Sequence, residues 1–308
     1  MSATAQTHTA FVQRFLLEDL DIRGAIVQLG DAWSAMQAGR DYPPAVASLL
    51  GEMSAIGILI AEQMKQEGRL TFQLQGSGPV SMMVVDCFSD LRLRGMARAD
   101  GPVPTLPAGS SAAELIGQGQ LALLLDLPLA REPYQSFVPL DGDSVAEIFE
   151  HYLAQSEQQP TRLLLAANGD QACGLLLQKL PDADVRDADG WSRVNQLLAT
   201  IKPEELLGLP AETLLTRVFA EETVRVYTPH PVSYHCPYDR KKIASMLLQL
   251  GQNEAEAILS EHGEIVVHDD ICNHEYRFNA ADVAALFATQ SATHSADDQA
   301  PGSSPTLH

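Results

Sequence analysis

Hydrophobic residues along the chain first alternate, then run in helical windows, then alternate again. Over residues 11–28 the runs FVQRFLLE and IRGAIVQL predict strands, and the windows 31–39 and 42–67 predict helices. The apolar stretch 45–61 is interrupted by Glu52 and followed by Glu62 and Lys65, which marks a buried helix rather than a membrane span. Leu70, Phe72 and Leu74 alternate with polar residues up to Gly76-Ser77-Gly78-Pro79, and VSMMVVDCF and LRLRGMAR resume as strands, so an antiparallel meander is expected. A short helix over 110–117, strands in QLALLLDL and YQSFVPL, a helix over 143–158 and strands in TRLLLAAN and ACGLLLQKL complete this stretch. Helices do not alternate regularly with strands, and the predicted class is α+β with an antiparallel sheet.

The pattern changes at Pro181, where PDADVRDADG is polar, acidic and turn-forming. Beyond it Trp191, Val194, Leu198 and Ile201 fall at helical spacing. Pro203 and Pro210 open two further short helices, the last carrying Leu214, Leu215, Val218 and Phe219. Helices this short cannot bury an apolar face alone, so they are expected to dock on the preceding domain. A second break falls near Thr228-Pro229-His230-Pro231. The final unit has Cys236 after a short strand, helices over 240–250 and 253–262, and Cys272 at a turn between GEIVVH and YRF. The expected organisation is a core domain over 1–180, a helical linker over 181–231, a small strand-helix-helix-hairpin domain over 232–289 and a disordered tail over 290–308.

Composition narrows the function classes. The chain has 308 residues, 45% of them hydrophobic and 19% charged, a globular balance. Its net charge of −20 opposes nucleic acid as a partner, because that affinity rests on clustered cations. Four cysteines are too few for a disulfide-stapled secreted scaffold, and MSATAQTHTAFVQRF does not read as a secretory signal. A cytosolic protein with no membrane partner is expected.

Little of the chain reads as catalytic chemistry. Gly76-Ser77-Gly78 joins two strands and lacks the Lys-Ser/Thr of a phosphate loop, so no nucleotide is expected there. No GxSxG elbow accompanies the serines and nine histidines. Cys87 and Cys173 lie inside apolar strand runs and read as packing residues. Cys236 and Cys272 at turns of a small module read either as the remains of a zinc site or as two unrelated thiols, and both readings stay open. A thiol enzyme with Cys236 beside His235 as nucleophile is the rival class, although neither a depressed thiol pKa nor a pocket is legible. A zinc-ribbon module for nucleic acid is a third, opposed by the charge.

LTFQLQGSGPV, RGMARADG, HYLAQSEQQPTRLLL, GLLLQKLP, EELLGLPAETLLTRVFAEETVRVY and GEIVVHDDICNHEYRFNAADV together resemble the redox-regulated heat-shock chaperones of the heat shock protein 33, or 33 kDa chaperonin, family. The resemblance implies an α+β core, a helical linker wrapped on it and a small carboxy-terminal zinc domain of redox-switch type. It also implies an ATP-independent holdase, not an enzyme, that binds unfolding clients under heat or oxidative stress and dimerises on activation. The family's zinc pattern is a CxC pair followed by a CxxC pair. Tyr238 stands where the second thiol of the first pair belongs, and Asp269 where the first thiol of the second pair belongs. Neither of the family's two disulfides can close here, so redox regulation is expected to be lost or altered.

Zinc accepts sulfur, imidazole and carboxylate, and the residual candidates are Cys236, Cys272 and Asp269, with His235, His268 or His274 as a fourth. In an extended segment His268 and Asp269 point to opposite faces, which favours His274. Cys236 and Cys272 come from opposite sides of the family's metal site, so a direct disulfide between them is the competing arrangement. The client surface is expected to include linker residues such as Trp191, Leu198, Ile201, Leu215 and Phe219, released when the helices undock.

Overall fold

A computed structural model describes residues 9–99, 111–156 and 158–297. Strands β1 (Phe11–Leu17) and β2 (Ile22–Gln28) form a hairpin that leads into helices α1 (Gly30–Gln37) and α2 (Pro44–Ala61). Then come β3 (Arg69–Gly76), β4 (Val80–Phe88), β5 (Arg92–Ala99), α3 (Ala112–Ile116), β6 (Gly119–Asp126) and β7 (Tyr134–Val138). Helix α4 (Val145–Ser156) precedes a second hairpin of β8 (Thr161–Ala167) and β9 (Ala172–Lys179). Next are α5 (Ala183–Arg186), α6 (Gly190–Leu198), α7 (Pro203–Gly208) and α8 (Ala211–Val218), then β10 (Val224–Val226), β11 (His230–Pro231) and β12 (Ser233–Tyr234). The last elements are α9 (Arg240–Leu250), α10 (Gln252–His262), β13 (Ile265–Asp269), β14 (His274–Phe278) and α11 (Ala280–Asp297).

The chain divides into two compact units between His235 and Cys236. In the first, one sheet runs β10-β1-β2-β9-β8 with β11 also paired to β1, and a second runs β12-β5-β4-β3-β6-β7. Neighbours are antiparallel except β12, which lies parallel to β5. The architecture is therefore mixed α+β, with the meander expected from the alternation.

Helix α2 is apolar on every side because it is enclosed on every side. Its residues share one core with Val27 and Leu176 of the first sheet and with Leu70, Phe72 and Val85 of the second. By length and composition α2 is apolar enough to cross a membrane, yet most of it is buried inside this unit. Proline at its first turn supplies a preset helical φ where no hydrogen bond is lost.

Glu52 is the acidic exception on that helix. Burial pushes its carboxyl up from 4.5 to about 7, against a lowering contribution from the Ser48 hydroxyl, which donates to it at 3.3 Å. The folded chain thus holds more protons than the unfolded chain between pH 4.5 and about 7, and stability falls as pH rises through that window. Glu52→Gln is expected to flatten this dependence and to stabilise the protein at pH 7.5 by on the order of 1–2 kcal/mol, read from urea unfolding at pH 5 and 7.5.

The first sheet buries apolar residues on both faces. Along β2, Ala25 and Val27 face α2 while Ile22 and Ile26 face the other way, and along β9 Leu176 opposes Leu175 and Leu177. The second face is covered by α6, α7 and α8, whose Val194, Leu198, Leu206, Leu214 and Leu215 pack against it with Phe219. The helices expected to dock do so, within the first unit.

Two boundaries differ from the sequence reading. Residues 232–235 belong to the first unit: β12 joins β5, and Val232 is buried in the α2 core, so the division falls four residues beyond 231. Helix α11 continues to Asp297, through positions 290–297 that were expected to be disordered, because its first turns are anchored by Val283 and Phe287 and nothing helix-breaking follows before Pro301. Positions 298–308 of the expected tail, and residue 110 of the expected short helix, lie outside the described residues.

Candidate functional site

The second unit is small, with a core of Ile243, Leu247, Ala255, Ile265, Tyr276, Phe278, Val283 and Phe287. A core of this size is marginal without a cross-link or a metal. Asp239 caps α9 by accepting a hydrogen bond from the Lys242 amide at 3.0 Å, and its own N–H donates to the Tyr276 hydroxyl at 3.0 Å. Gly263, in the left-handed region at φ 79°, ends α10 and turns the chain into β13.

Cys236 and Cys272 are joined by a disulfide with Cα atoms 5.4 Å apart. Cys236 therefore presents no free thiol in this structure. Asp269 ends β13, and one of its carboxylate oxygens accepts the backbone N–H groups of Ile271 and Cys272 at 3.0 and 3.2 Å. This Asx-type arrangement shapes the turn that delivers Cys272 to Cys236. Tyr238 stacks on Tyr276 at 4.4 Å between ring centroids, and the His274 ring lies 5.5 Å from Tyr238. The imidazole Nδ1 of His274 is buried without a hydrogen-bond partner.

The metal candidates do not assemble as ligands. Both sulfurs are bonded to each other, Asp269 serves the turn, and His274 packs among aromatic rings. His268 lies 3.8 Å from Asp270, its one carboxylate partner among the described residues. His235 belongs to the first unit, where its N–H donates to the Leu93 carbonyl at 2.9 Å. Among the described residues no three His, Cys, Asp or Glu side chains are grouped to hold an ion, so the donor set does not fit zinc in this arrangement. Even after reduction, two thiolates and a carboxylate make a poorer soft-ligand site than four thiolates. Purified protein is expected to carry zinc well below one equivalent per chain by elemental analysis; stoichiometric zinc released by thiol modification overturns this.

The second candidate region is the docked linker. Leu198, Leu215 and Phe219 are buried and Trp191 and Ile201 half-buried, all against the first sheet. The Phe219 ring lies 6.1 Å from Phe15, and Phe15 covers Gly24 on the paired strand so closely that a Cβ there would overlap its ring. Arg193 clasps the two ends of the linker, donating to Asp187 at 2.9 Å and Glu222 at 2.8 Å. These bonds raise the Arg193 pKa and hold the Asp187 carboxyl below its ordinary value. The Gln28 side-chain amide donates to the Leu209 carbonyl at 2.8 Å, and β10 pairs with β1.

Sequence reasoning found the docking helices but missed their receiving face, Phe15, Ile22, Ile26, Leu175 and Leu177. The signal was the run ACGLLLQK, apolar where a one-sided antiparallel strand would alternate. Cys87 and Cys173 are buried and free. Burial pushes the Cys87 thiol far up and that of Cys173 up to about 12, so both should stay unreactive to alkylation in the folded protein at pH 8.

Comparison with known proteins adds a lineage to this geometry. The model of the family described as Hsp33 protein matches residues 11–279. The 33 kDa chaperonin of Methylobacillus flagellatus is 39% identical over 281 residues, 91% of this chain and 94% of that one. That of Pseudomonas aeruginosa is 42% identical over 288 residues, 92% and 96% of the two chains. The crystal structure of a 33 kDa chaperonin from Thermotoga maritima superposes with a TM-score of 0.77 at 23% identity, covering 92% of this chain and all of that one.

Proposed function

This chain belongs to the Hsp33 family, and we propose that it is an ATP-independent holdase of the cytosol that captures unfolding proteins under heat or oxidative stress. The observation that carries the reading is the apolar face of the first sheet, covered by three short helices that have no core of their own. Undocking exposes Ile22, Ile26, Leu175 and Leu177 together with the helices' own apolar stripes, including Trp191, Leu198, Ile201, Leu215 and Phe219. Such a surface binds unfolded chains by apolar burial and needs no catalytic residue. The net charge of −20 keeps client-loaded complexes apart in solution. Pairing of two activated chains through the exposed faces accounts for a homodimer on activation.

Regulation by oxidation is altered in this reading. A switch that unfolds when CxC and CxxC pairs oxidise has lost one partner of each pair to Tyr238 and Asp269. The two remaining thiols bond to each other, so the oxidised module is the stapled one. Heat then replaces oxidant as the trigger, through local unfolding of the linker. Light scattering of a heat-denatured client tests this directly. The reduced protein is expected to suppress aggregation on warming, and peroxide is expected to leave that activity unchanged or lower it. Activity that is absent at every temperature until peroxide is added overturns the regulatory reading, and no suppression under any condition overturns the holdase itself.

A further inference from the structure

We infer that the groove beside the carboxy-terminal end of α2, on the α2 side of β1, β2 and β9, binds an anion of the phosphate-chain class. In a chain with 40 acidic and 20 basic residues, arginines generally end on carboxylates. Arg94 meets Asp86, Arg162 meets Glu150 and Arg217 meets Glu205, all within 3 Å. Arg23 is held differently. Its Nε donates to the Gln178 side-chain oxygen at 2.8 Å and its Nη2 to that of Gln63 at 3.1 Å, two neutral amides. Gln178 is fully buried and is braced by its own donation to the Thr161 hydroxyl at 3.3 Å. The guanidinium is thus positioned by uncharged groups, and its charge is left for something else.

Around it lies a cavity of about 900 Å³, of the size that holds small ligands. Lys65 and Arg14 also line it, and Lys65 has no carboxylate partner among the described residues. Arg14 pairs with Glu62 at 3.2 Å, and Glu62 also meets His230 at 3.1 Å. Three cations thus face a single lining carboxylate. The Arg14 guanidinium lies 5.9 Å from the centre of the Tyr227 ring, which gives the groove an aromatic wall. One carboxylate would neutralise Arg23 and leave a charge over, whereas a chain of phosphates offers paired oxygens to the planar guanidinium and further charge to the flexible lysine. An inorganic oligophosphate and the phosphate tail of a nucleotide share this chemistry.

Isothermal titration of the full-length protein at fixed ionic strength tests the assignment, with tripolyphosphate, ATP and citrate as probes. Tripolyphosphate is expected to bind one per chain. Arg23→Gln and Lys65→Gln should each weaken it about tenfold or more, Arg23→Lys by less than Arg23→Gln, and Arg217→Gln not at all. Thermal midpoints without ligand report that the variants are folded. Equal affinity for ATP and tripolyphosphate assigns the phosphate chain alone, and tighter ATP binding assigns a nucleotide. The proposal is overturned if tripolyphosphate does not saturate, if citrate binds as tightly, or if Arg217→Gln weakens binding as much as Arg23→Gln.

Discussion

Reducing the Cys236–Cys272 disulfide is expected to destabilise the second unit by several kcal/mol and to make it the first part of the chain to be cleaved by protease. The bond joins residues 36 apart in sequence and brackets both helices and the first strand of the unit. A closed loop of that length removes about 3.8 kcal/mol of chain entropy from the unfolded state, before any native strain is subtracted. The core that remains has eight buried apolar side chains, and net stability in modules this small is only a few kcal/mol. The cross-link is thus comparable with all the rest. Limited proteolysis of oxidised, reduced and Cys272→Ser protein, with mapping of cuts across 236–288, measures the effect. Oxidised protein should be the resistant form, and Cys272→Ser should behave as reduced wild type in either condition. Greater cleavage of this segment after oxidation, or mass mapping in which the two cysteines never pair intramolecularly, overturns the prediction.

Phe219→Ala is expected to cost about 3–5 kcal/mol of linker docking and to switch on client binding without heat or oxidant. Phe219 is 1% exposed and packs on Phe15, which in turn covers Gly24, so its loss leaves a cavity at the junction between α8 and the sheet. Because α6, α7 and α8 share one apolar cluster, the loss is felt by the whole docked segment. The expected readout is new cleavage between 181 and 231, increased binding of an apolar fluorescent dye, and suppression of client aggregation at a temperature where wild type is inactive. Leu176→Ala, on the α2 side of the same sheet, separates docking from global stability. It should lower the unfolding temperature without activating the protein. Equal activation by both variants, or a Phe219→Ala protein that stays docked and silent, overturns the idea.

Much of this was readable along the chain, because local patterns carry local information. Period-2 alternation in LTFQL and period-3.6 spacing of Trp191, Val194, Leu198 and Ile201 specify strand and helix wherever those segments end up. The acidic turn at 181 falls between β9, which ends at Lys179, and α5, which begins at Ala183. The cysteine pattern singles out Tyr238 and Asp269 as the two positions where the resemblance places thiols and this chain has none. Positions 290–297 were misread because Ser, Thr, His and Asp look like tail composition, whereas a helix already anchored by Val283 and Phe287 extends through such residues one hydrogen bond at a time.

What only the tertiary structure decided is which distant residues meet. The run ACGLLLQK shows that β9 is buried, but the assignment of Leu176 to α2 and of Leu175 and Leu177 to the linker follows from the placement of β9 beside β2. Nothing local in Ser233-Tyr234 announces a parallel pairing with β5, which moved the boundary past 231. The cysteine spacing allows a disulfide, but the hairpin register and the Asp269 turn bring Cys272 to Cys236, while Tyr238 settles on Tyr276 rather than beside a metal. Arg23 reads along the chain as one more surface charge, and only the approach of Gln178 and Gln63, separated from it by 155 and 40 residues, gives it neutral partners. The physical reason is common to all four. Periodicity and propensity act through backbone geometry over a few residues, whereas partner choice is set by how the whole chain closes its apolar surface, and that is a property of topology rather than of any segment.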